Sequence, residues 1–200
     1  MSICLFGGTF DPPHIGHLII AEFILSDLDV DKIYFIPSSI PPHKQASSYS
    51  STSSRVEMLQ IAIKGTPAFQ ISDIELNRPG VSYSIDTIKQ IKSRMNLSKE
   101  ELYFLIGSDS LVEFQSWMNP EEILSLAQVI VAPRPLFTKD MVKPEFLEQV
   151  QFLNTPQIDI SSSMIRERVY EGKSIRYLVL IKVEEYIKKN KLYLRVEKYR

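Results

Sequence analysis

The stretch that decides the fold stands at the start of the chain. An apolar segment, Ile3 to Phe6, runs directly into Gly7-Gly8-Thr9-Phe10-Asp11-Pro12-Pro13-His14-Ile15-Gly16-His17 and then into a helical pattern. A strand that ends in two glycines lets backbone N–H groups approach a ligand closely, and the start of the following helix carries partial positive charge. The stretch therefore predicts a strand–loop–helix unit that binds a phosphate chain.

Two histidines stand at the start of the predicted helix. His14 and His17 are three residues apart, so both imidazoles face one side, toward the ligand of the loop. The loop is neither a GxGxxG dinucleotide fingerprint nor a Walker A loop, which needs Lys followed by Ser or Thr. A zinc site is disfavoured because Cys4 lies inside the strand and His43 follows a proline pair. The alternative is a tight turn whose histidines only cap and pack, and two glycines together with two histidines disfavour it.

Length and composition narrow the class of protein. Two hundred residues suit one domain, residues 1–200, with a helical portion over about 161–200. A formal net charge of −1 argues against a nucleic-acid partner. A single cysteine and the lack of a secretion signal favour the reducing cytoplasm. No window resembles a membrane span, so no membrane partner is expected.

Short apolar runs alternate with helical patterns, which is typical of a parallel α/β sheet. Five strands are predicted, at Ile3 to Phe6, Lys32 to Ile36, Phe69 to Ser72, Leu102 to Ile106 and Val129 to Ala132. Helices between consecutive strands place helical layers on both faces. The expected fold is a Rossmann-like doubly wound parallel sheet of five or more strands with a small C-terminal helical region.

Four helices between the strands have recognisable signals. The first is expected to place Leu18, Ile19, Phe23 and Ile24 on one face. Ser54 with Glu57 predicts a capping box that opens a second helix through Ile63. A third is predicted near Ser84 to Met95, and Asn119 as a cap before Pro120 predicts the start of a fourth.

The ligand of such a sheet is expected at the carboxyl ends of the strands. Residues that fall there are Gly7, Pro37, Gly107 and Pro133. The Ser/Pro-rich stretch from Ser38 to Ser53 leaves the same edge, so it is expected to act as a lid whose Lys44 reaches phosphate oxygens. A solvated surface loop is the alternative.

A second anion site is predicted near the other end of the chain, within Asp159 to Arg168. Its hydroxyl groups belong to Ser161, Ser162 and Ser163. Helix capping alone explains one serine, whereas three hydroxyls, the N–H groups of a first helical turn and Arg166 suit an anion. Two anion sites at opposite ends of the chain suggest a triphosphate held between them. Arg166 is expected on an exposed helix start.

These motifs resemble known signatures. The first loop and Ile160-Ser161-Ser162-Ser163-Met164-Ile165-Arg166 resemble those of the HxGH nucleotidyltransferase superfamily. Other blocks are similar to bacterial nicotinate-nucleotide adenylyltransferases: Pro41-Pro42-His43-Lys44, Arg78 to Thr87, Leu105 to Leu111, Phe114 with Trp117, Arg134-Pro135, Tyr186-Ile187 and Leu192-Tyr193. The departures are mild: Pro13 replaces a more usual Ile, Ser84 and Ser163 stand where Thr is common, and Leu180 stands where proline is frequent.

The resemblance implies transfer of the adenylyl group of ATP to nicotinate mononucleotide in NAD biosynthesis, with release of pyrophosphate. The implied catalytic residues are His14, His17, Lys44 and Arg166. The implied ATP-binding residues are Gly7, Gly8, Thr9, Phe10, His14, His17, Gly107, Asp109, Ile160, Ser161, Ser162, Ser163 and Arg166. The implied mononucleotide-binding residues are Thr9, Lys44, Ser82, Tyr83, Ser84, Trp117 and Arg134. Mg²⁺ would be carried mainly by the phosphates, and a homo-oligomer is left open.

Two of these roles have structural alternatives. Asp109 would bind ribose hydroxyls, with helix capping as the alternative. Trp117 would stack on the pyridine ring, with core packing as the alternative.

Three rival functions stay open. Phosphopantetheine adenylyltransferases share the first loop but are typically shorter and should lack the Ser82-Tyr83-Ser84 and Trp117 blocks. A class I tRNA synthetase fragment would need an anticodon-binding domain and a basic face for RNA. A non-catalytic nucleotide-binding regulator would keep the glycines but has no reason to keep both histidines, Lys44 and Arg166.

Overall fold

The computed structural model describes residues 1–38, 50–135 and 137–194. Within these ranges the strands are β1 Ile3–Gly8, β2 Lys32–Pro37, β3 Phe69–Ile71, β4 Leu102–Gly107, β5 Gln128–Ala132 and β6 Val150–Phe152. They form one six-stranded sheet in the order β3-β2-β1-β4-β5-β6, and every neighbouring pair is parallel. This is the Rossmann strand order, so the predicted fold class is confirmed and the switch in strand order falls between β1 and β4.

Helices connect the strands and complete the C-terminal part. In the same described ranges they are α1 Ile15–Asp27, α2 Thr52–Ile63, α3 Ser84–Met95, α4 Ser108–Val112, α5 Pro120–Leu126, α6 Pro144–Leu147, α7 Ser162–Tyr170 and α8 Ile181–Lys189. None of the helices described is long and apolar enough to cross a membrane.

Successive strand residues point to opposite faces of the sheet, and both faces are buried. On β1, Ile3 and Leu5 pack in one apolar cluster with Ile88 of α3, whereas Cys4 and Phe6 pack in the other with α1 and α2. Burial on both sides explains why the strands are continuous apolar runs without polar alternation. Helix α3 and helices α1 and α2 therefore lie on opposite faces.

The C-terminal helices form a third apolar cluster with α2. Met58 of α2 packs there with Ile165 of α7 and Val183 and Ile187 of α8, and Leu18 of α1 lies against it. Leu18 also borders the cluster on the sheet. Helix α1 thus lies between the sheet and the C-terminal helices.

This position corrects the predicted face of α1. The residues buried on this helix are Gly16, Ile20, Ala21 and Ile24, whereas Leu18, Ile19 and Phe23 are only partly buried. Because α1 has apolar neighbours on more than one side, its apolar residues surround much of its circumference, and their spacing does not single out one face.

The start of α2 was predicted too late. Its cap is Ser51, whose Oγ accepts a hydrogen bond from the Ser54 backbone N–H at 3.1 Å, and the helix begins at Thr52. A run of hydroxyl residues, Ser50 to Ser54, offers several equivalent caps, so local sequence could not choose among them.

Two further details differ from the predictions. Helix α5 does begin at Pro120, but Asn119 adopts a left-handed backbone and its amide donates to Glu122 Oε2 at 3.3 Å instead of capping. The edge strand β6 was not predicted, because three half-exposed or exposed residues carry too little apolar signal.

Candidate active site

The candidate site lies at the carboxyl edge of the sheet, where β1 and β4 diverge. Gly7 and Gly8 end β1, Pro37 ends β2, Gly107 ends β4 and Pro133 follows β5, as predicted. A Cβ atom added to Gly7 would find no atom of the described residues within 4 Å. Gly7 therefore borders open space at the switch point, which is the position expected for a ligand.

The two histidines stack on each other at the start of α1. Their ring centroids are 3.6 Å apart with planes 24° from parallel. The His17 ring also contacts Phe10 and Phe6 edge-on, at 5.0 and 5.7 Å between centroids. Gly16 makes room for this stack, because a Cβ there would lie 3.1 Å from His14 Nδ1. Phe10 is buried, so its ring supports His17 from the core.

Hydrogen bonding assigns the tautomer of His17. The backbone N–H of His14 donates to His17 Nδ1 at 3.1 Å, so the proton of a neutral His17 ring is on Nε2. Among the described residues, the buried His14 Nδ1 has no hydrogen-bond partner. The His17 ring therefore keeps its Nε2–H for a ligand, whereas His14 Nδ1 is closed off by burial.

Both histidines are neutral in the free protein at physiological pH. Burial, together with the nearby positive charge of Arg134, lowers the pKa of His14 to about 3. Burial, followed by His14 and Arg134, lowers the pKa of His17 well below its usual value. Their ring N–H groups can therefore donate to phosphate oxygens without an imidazolium being present beforehand.

Arg134 and Asp109 lie close to Gly107 at the end of β4. The Arg134 backbone N–H donates to the buried Ser108 Oγ at 2.9 Å, which fixes the loop after β5 beside α4. A Cβ added to Gly107 would lie 2.2 Å from Asp109 Oδ1 and 3.7 Å from Arg134 Nε. Asp109 is exposed in the first turn of α4 and does not cap it. Arg134, predicted to bind the mononucleotide, lies within electrostatic reach of the histidines.

The serine motif of α7 meets the first loop. Ser161 caps α7 by accepting from the Met164 N–H at 3.1 Å, and Ser162 Oγ donates to the Pro12 carbonyl at 2.8 Å. Arg166 donates from Nη1 to the Asp11 carbonyl at 2.7 Å and from Nη2 to Ser163 Oγ at 3.2 Å. The two predicted anion motifs, distant in sequence, are therefore neighbours.

One detail of this motif corrects a prediction, whereas the predicted role of Ile160 in ATP binding stays a prediction. Arg166 was expected on an exposed helix start, but its side chain is partly buried against the first loop. Ile160 packs at the margin of the C-terminal apolar cluster.

Sequence reasoning missed Arg55. Its buried guanidinium donates from Nη1 to the Thr9 carbonyl at 2.9 Å and from Nη2 to Thr52 Oγ1 at 3.2 Å, and it lies beside the Asp11 charge. Thr9 of the loop is thereby held from α2. A signal for this residue existed: Arg55, Met58, Leu59 and Ala62 share the helical spacing of the buried stripe.

Four of the predicted mononucleotide residues, Ser82, Tyr83, Ser84 and Trp117, lie on the α3 face of the sheet. Tyr83 is the residue before α3, Ser84 begins it, and the buried Ser82 Oγ has no partner in the part of the chain that is described. Trp117 is partly buried and packs against Phe114 and Phe104, with centroids 5.3 and 6.3 Å apart. The structure thus groups these residues opposite the face that carries the histidines.

A polar network braces the start of α3. Arg78 donates to Thr87 Oγ1 at 3.1 Å and to Gln90 Oε1 at 2.9 Å, while the Thr87 hydroxyl donates to Glu75 Oε1 at 2.9 Å. Burial raises the pKa of Glu75. The loop before Ser82 is therefore fixed to α3 by side chains, although most of it has no regular secondary structure.

Most of the predicted lid and the expected Mg²⁺ are not described by the structure. Lys44 and nearly all of the proposed lid, residues 39–49, lie outside the described residues. Within those residues, no group of three or more His, Cys, Asp or Glu side chains could hold a metal ion.

A sheet of this order, with two neutral histidines and an arginine at the switch point, defines a nucleotide-binding α/β protein. The Cytidylyltransferase-like family matches residues 5–168 of the chain. Nicotinate-nucleotide adenylyltransferase of Bacillus subtilis is 40% identical over 192 residues, covering 96% of this chain and 98% of its own. A probable nicotinate-nucleotide adenylyltransferase of Geobacillus thermodenitrificans is 42% identical over 192 residues, with 96% and 86% covered.

A solved structure is also similar in fold. Plasmodium falciparum nicotinic acid mononucleotide adenylyltransferase complexed with NaAD has a TM-score of 0.78 at 22% identity, and 96% of this chain and 97% of that one are covered. The chain therefore belongs to the Cytidylyltransferase-like family and, within it, to the nicotinate-nucleotide adenylyltransferase family.

Proposed function

We propose that this chain transfers the adenylyl group of ATP to nicotinate mononucleotide, forming deamido-NAD and pyrophosphate, a step of NAD biosynthesis. The relatives with about 40% identity along nearly the whole chain support this activity. The observation that carries it in the structure is the meeting of His14, His17 and Arg166 around one loop at the open switch point.

The reaction needs no general base. A phosphate oxygen of the mononucleotide attacks the α-phosphorus of ATP, and the bond from that phosphorus to the bridging oxygen breaks. Pyrophosphate leaves with the electron pair. The attacking phosphate is largely ionised at neutral pH, because its second pKa is about 6. The contribution of the protein is then alignment and stabilisation of charge.

The donors at the first loop suit this task. His17 is held by the His14 backbone N–H and the Phe10 ring and carries an Nε2–H, so little reorganisation accompanies charge development. Arg166 adds a positive charge whose position is set by the Asp11 carbonyl. Arg134 adds a second positive charge on the same side. Lys44, on the proposed lid, is kept as a fourth donor.

Magnesium belongs to the ATP substrate in this proposal. Mg²⁺ prefers oxygen ligands and keeps several waters, so phosphate oxygens and water would hold it, and it would neutralise phosphate charge. The Asp11 carboxylate is buried and already accepts two hydrogen bonds, from Tyr193 and Ser50. Asp109 is the exposed carboxylate at the end of β4 and is assigned to the ribose.

The α3 face would select the acid form of the mononucleotide. The N–H groups at the start of α3 and the helix dipole favour a carboxylate, and the Ser82 hydroxyl, which has no partner within residues 1–38, 50–135 and 137–194, is a further donor. Trp117, which is partly exposed beside Phe114, would stack on the pyridine ring.

The test is incubation of the purified protein with ATP, Mg²⁺ and nicotinate mononucleotide, followed by chromatography for deamido-NAD and an assay for pyrophosphate. Equal amounts of both products are expected. Nicotinamide mononucleotide and phosphopantetheine serve as rival acceptors in parallel. Faster turnover of phosphopantetheine, or ATP binding without turnover of any acceptor, would contradict the proposal in favour of one of its rivals.

A further inference from the structure

The Leu192-Tyr193 motif lies shortly after helix α8. Helix α8 ends at Lys189, and Lys191 adopts a left-handed backbone with φ 52°. The Leu192 N–H then donates to the Ile187 carbonyl at 3.0 Å, which closes the helix end in the manner of a Schellman turn. The chain reverses direction at this point.

The reversal brings Tyr193 to the first loop. Its hydroxyl lies 3.9 Å from Met58 Sδ of α2 and donates to Asp11 Oδ1 at 2.6 Å, a contact between residues 182 positions apart. Burial and the adjacent Asp11 charge raise the pKa of Tyr193. The phenol is therefore a donor to the carboxylate throughout the physiological pH range.

Asp11 joins this contact to Arg166. The Asp11 side chain is fully buried, and its Oδ2 accepts from the Ser50 backbone N–H at 3.1 Å. Its carbonyl oxygen accepts from Arg166 Nη1 at 2.7 Å. Asp11 thus accepts one hydrogen bond from Tyr193 through its side chain and another from Arg166 through its carbonyl oxygen.

We propose that Tyr193 is a positioning residue for Arg166, acting through Asp11. This inference rests on the proposed function, in which Arg166 meets substrate phosphates. The Asp11 carboxylate has donors in Tyr193 and Ser50 and the Arg55 charge beside it, so the guanidinium of Arg166 stays on the Asp11 carbonyl, where the proposed function requires it. Without the phenol hydroxyl, a buried carboxylate oxygen lacks its donor and competes with phosphate for Arg166.

The experiment is a double-mutant cycle of Tyr193→Phe and Arg166→Ala, with kcat, KM for both substrates and Kd for ATP. Tyr193→Phe keeps the ring over Met58 and removes one hydroxyl. One hydrogen bond to a charged group is lost, so kcat/KM should fall about tenfold and Kd for ATP should rise about threefold. KM for nicotinate mononucleotide should stay unchanged. Tyr177→Phe, at a tyrosine that is 79% exposed, is the matched control and should behave as the parent protein.

The decisive comparison is the effect of Tyr193→Phe when Arg166 is already alanine. If Tyr193 acts through Arg166, the second loss of kcat/KM should be less than about twofold. An equal loss in both backgrounds would show a merely structural role, and no loss in the native background would show no role. Both outcomes overturn the inference. Circular dichroism at the assay temperature checks that each variant is folded.

The same double-mutant cycle, measured as Kd for ATP, distinguishes failure of this inference from failure of the proposed function. If no acceptor is adenylylated but the two substitutions remain coupled in ATP affinity, the proposed function fails and the positioning role stands. If turnover is normal in the parent protein but the substitutions are additive in both turnover and ATP affinity, the positioning role fails alone.

Discussion

The two sides of the crevice differ in how the backbone of their loops is held by side chains from other helices. On the α1 side, the carbonyls of Thr9, Asp11 and Pro12 each accept a hydrogen bond from a side chain of another helix. On the α3 side, the buried Ser82 hydroxyl lacks a partner among the described residues, and Tyr83 is 38% exposed. The backbone of the loop on the proposed phosphate side is therefore held before substrate arrives, although the buried His14 Nδ1 lacks a partner among the described residues, whereas the proposed pyridine side leaves the Ser82 hydroxyl for the substrate to satisfy.

This difference has a consequence for mutations. A preorganised donor contributes mainly in the transition state, so its loss should lower kcat. A group that awaits the substrate should mainly affect which substrate is accepted. Four experiments test this division.

The largest effect is expected for His17→Ala on the phosphate side. Loss of the Nε2–H donor should lower kcat about 10²-fold or more and leave Kd for ATP nearly unchanged, because the charge that it meets develops in the transition state. Steady-state kinetics and calorimetry measure the two quantities. Tyr177→Phe, at an exposed tyrosine, is the control for activity lost during preparation of the variants. Near-normal turnover would leave His17 with the packing role that its contacts with Phe6 and Phe10 also allow.

The next largest effect concerns the pyridine side. Nicotinate mononucleotide should be preferred over its amide about 10²-fold in kcat/KM, because an amide NH₂ would face donors and the charge would be lost. Ser82→Ala should reduce this ratio by about tenfold or less, with kcat for the acid form little changed. Comparable kcat/KM values for acid and amide in the parent protein would contradict the assignment of the α3 start.

A smaller effect is expected for Gly7→Ala, which tests whether the open space at the switch point is the nucleotide site. The added methyl group meets no atom within 4 Å in the part of the chain that the structure describes, so the melting temperature of the free protein should be unchanged. It would occupy space proposed for ATP and should raise Kd for ATP about tenfold, the scale of a steric clash in a packed site. A Kd equal to that of the parent would place ATP elsewhere. Gly107→Ala is the contrasting variant, because its methyl would displace Asp109.

The smallest effect is a pH dependence of stability in the ligand-free protein. The pKa values of His14, about 3, and His17 lie below the usual 6.5, so below that pH the unfolded chain binds protons that the native state does not. The free energy of unfolding that the two neutral histidines contribute should therefore be fully present above pH 6.5 and decrease as the pH drops below it. The expected loss between pH 7 and 5.5 is about 1 kcal/mol for each histidine. Denaturant unfolding of the parent and of a His14→Asn variant measures it.

The His14→Asn variant should show about half of the pH dependence of stability that the parent protein shows. A parent protein equally stable at pH 7 and 5.5 would show that its histidines are solvated rather than buried, and the organised character of the phosphate side would then be in doubt.

Local sequence determined much of the sheet and the chemistry of the site. The strand–loop–helix unit at residues 3–17 was predicted because a short apolar run, two glycines and a helical pattern act over adjacent residues. The same holds for strands β2, β3, β4 and β5, and for the helix α7 that follows the serine cluster, although the sequence did not say which serine would cap it. The ligand edge followed from parallel strands, whose carboxyl ends must lie together. The residue types there, histidine, arginine and serine, already indicated phosphate chemistry.

Tertiary structure decided what depends on distant neighbours. The cap of α2 was fixed at Ser51 among equivalent hydroxyls, and the buried side of α1 was fixed by two layers that pack on it. The placement of Arg166 against Asp11, 155 residues away, and of Tyr193 against the same residue depends on how α7 and α8 pack on α2. No local pattern encodes such contacts, because the free energy that forms them comes from burying apolar side chains from separate parts of the chain. The sequence thus determined which groups the site contains, and the packing of the C-terminal helices decided which of them meet.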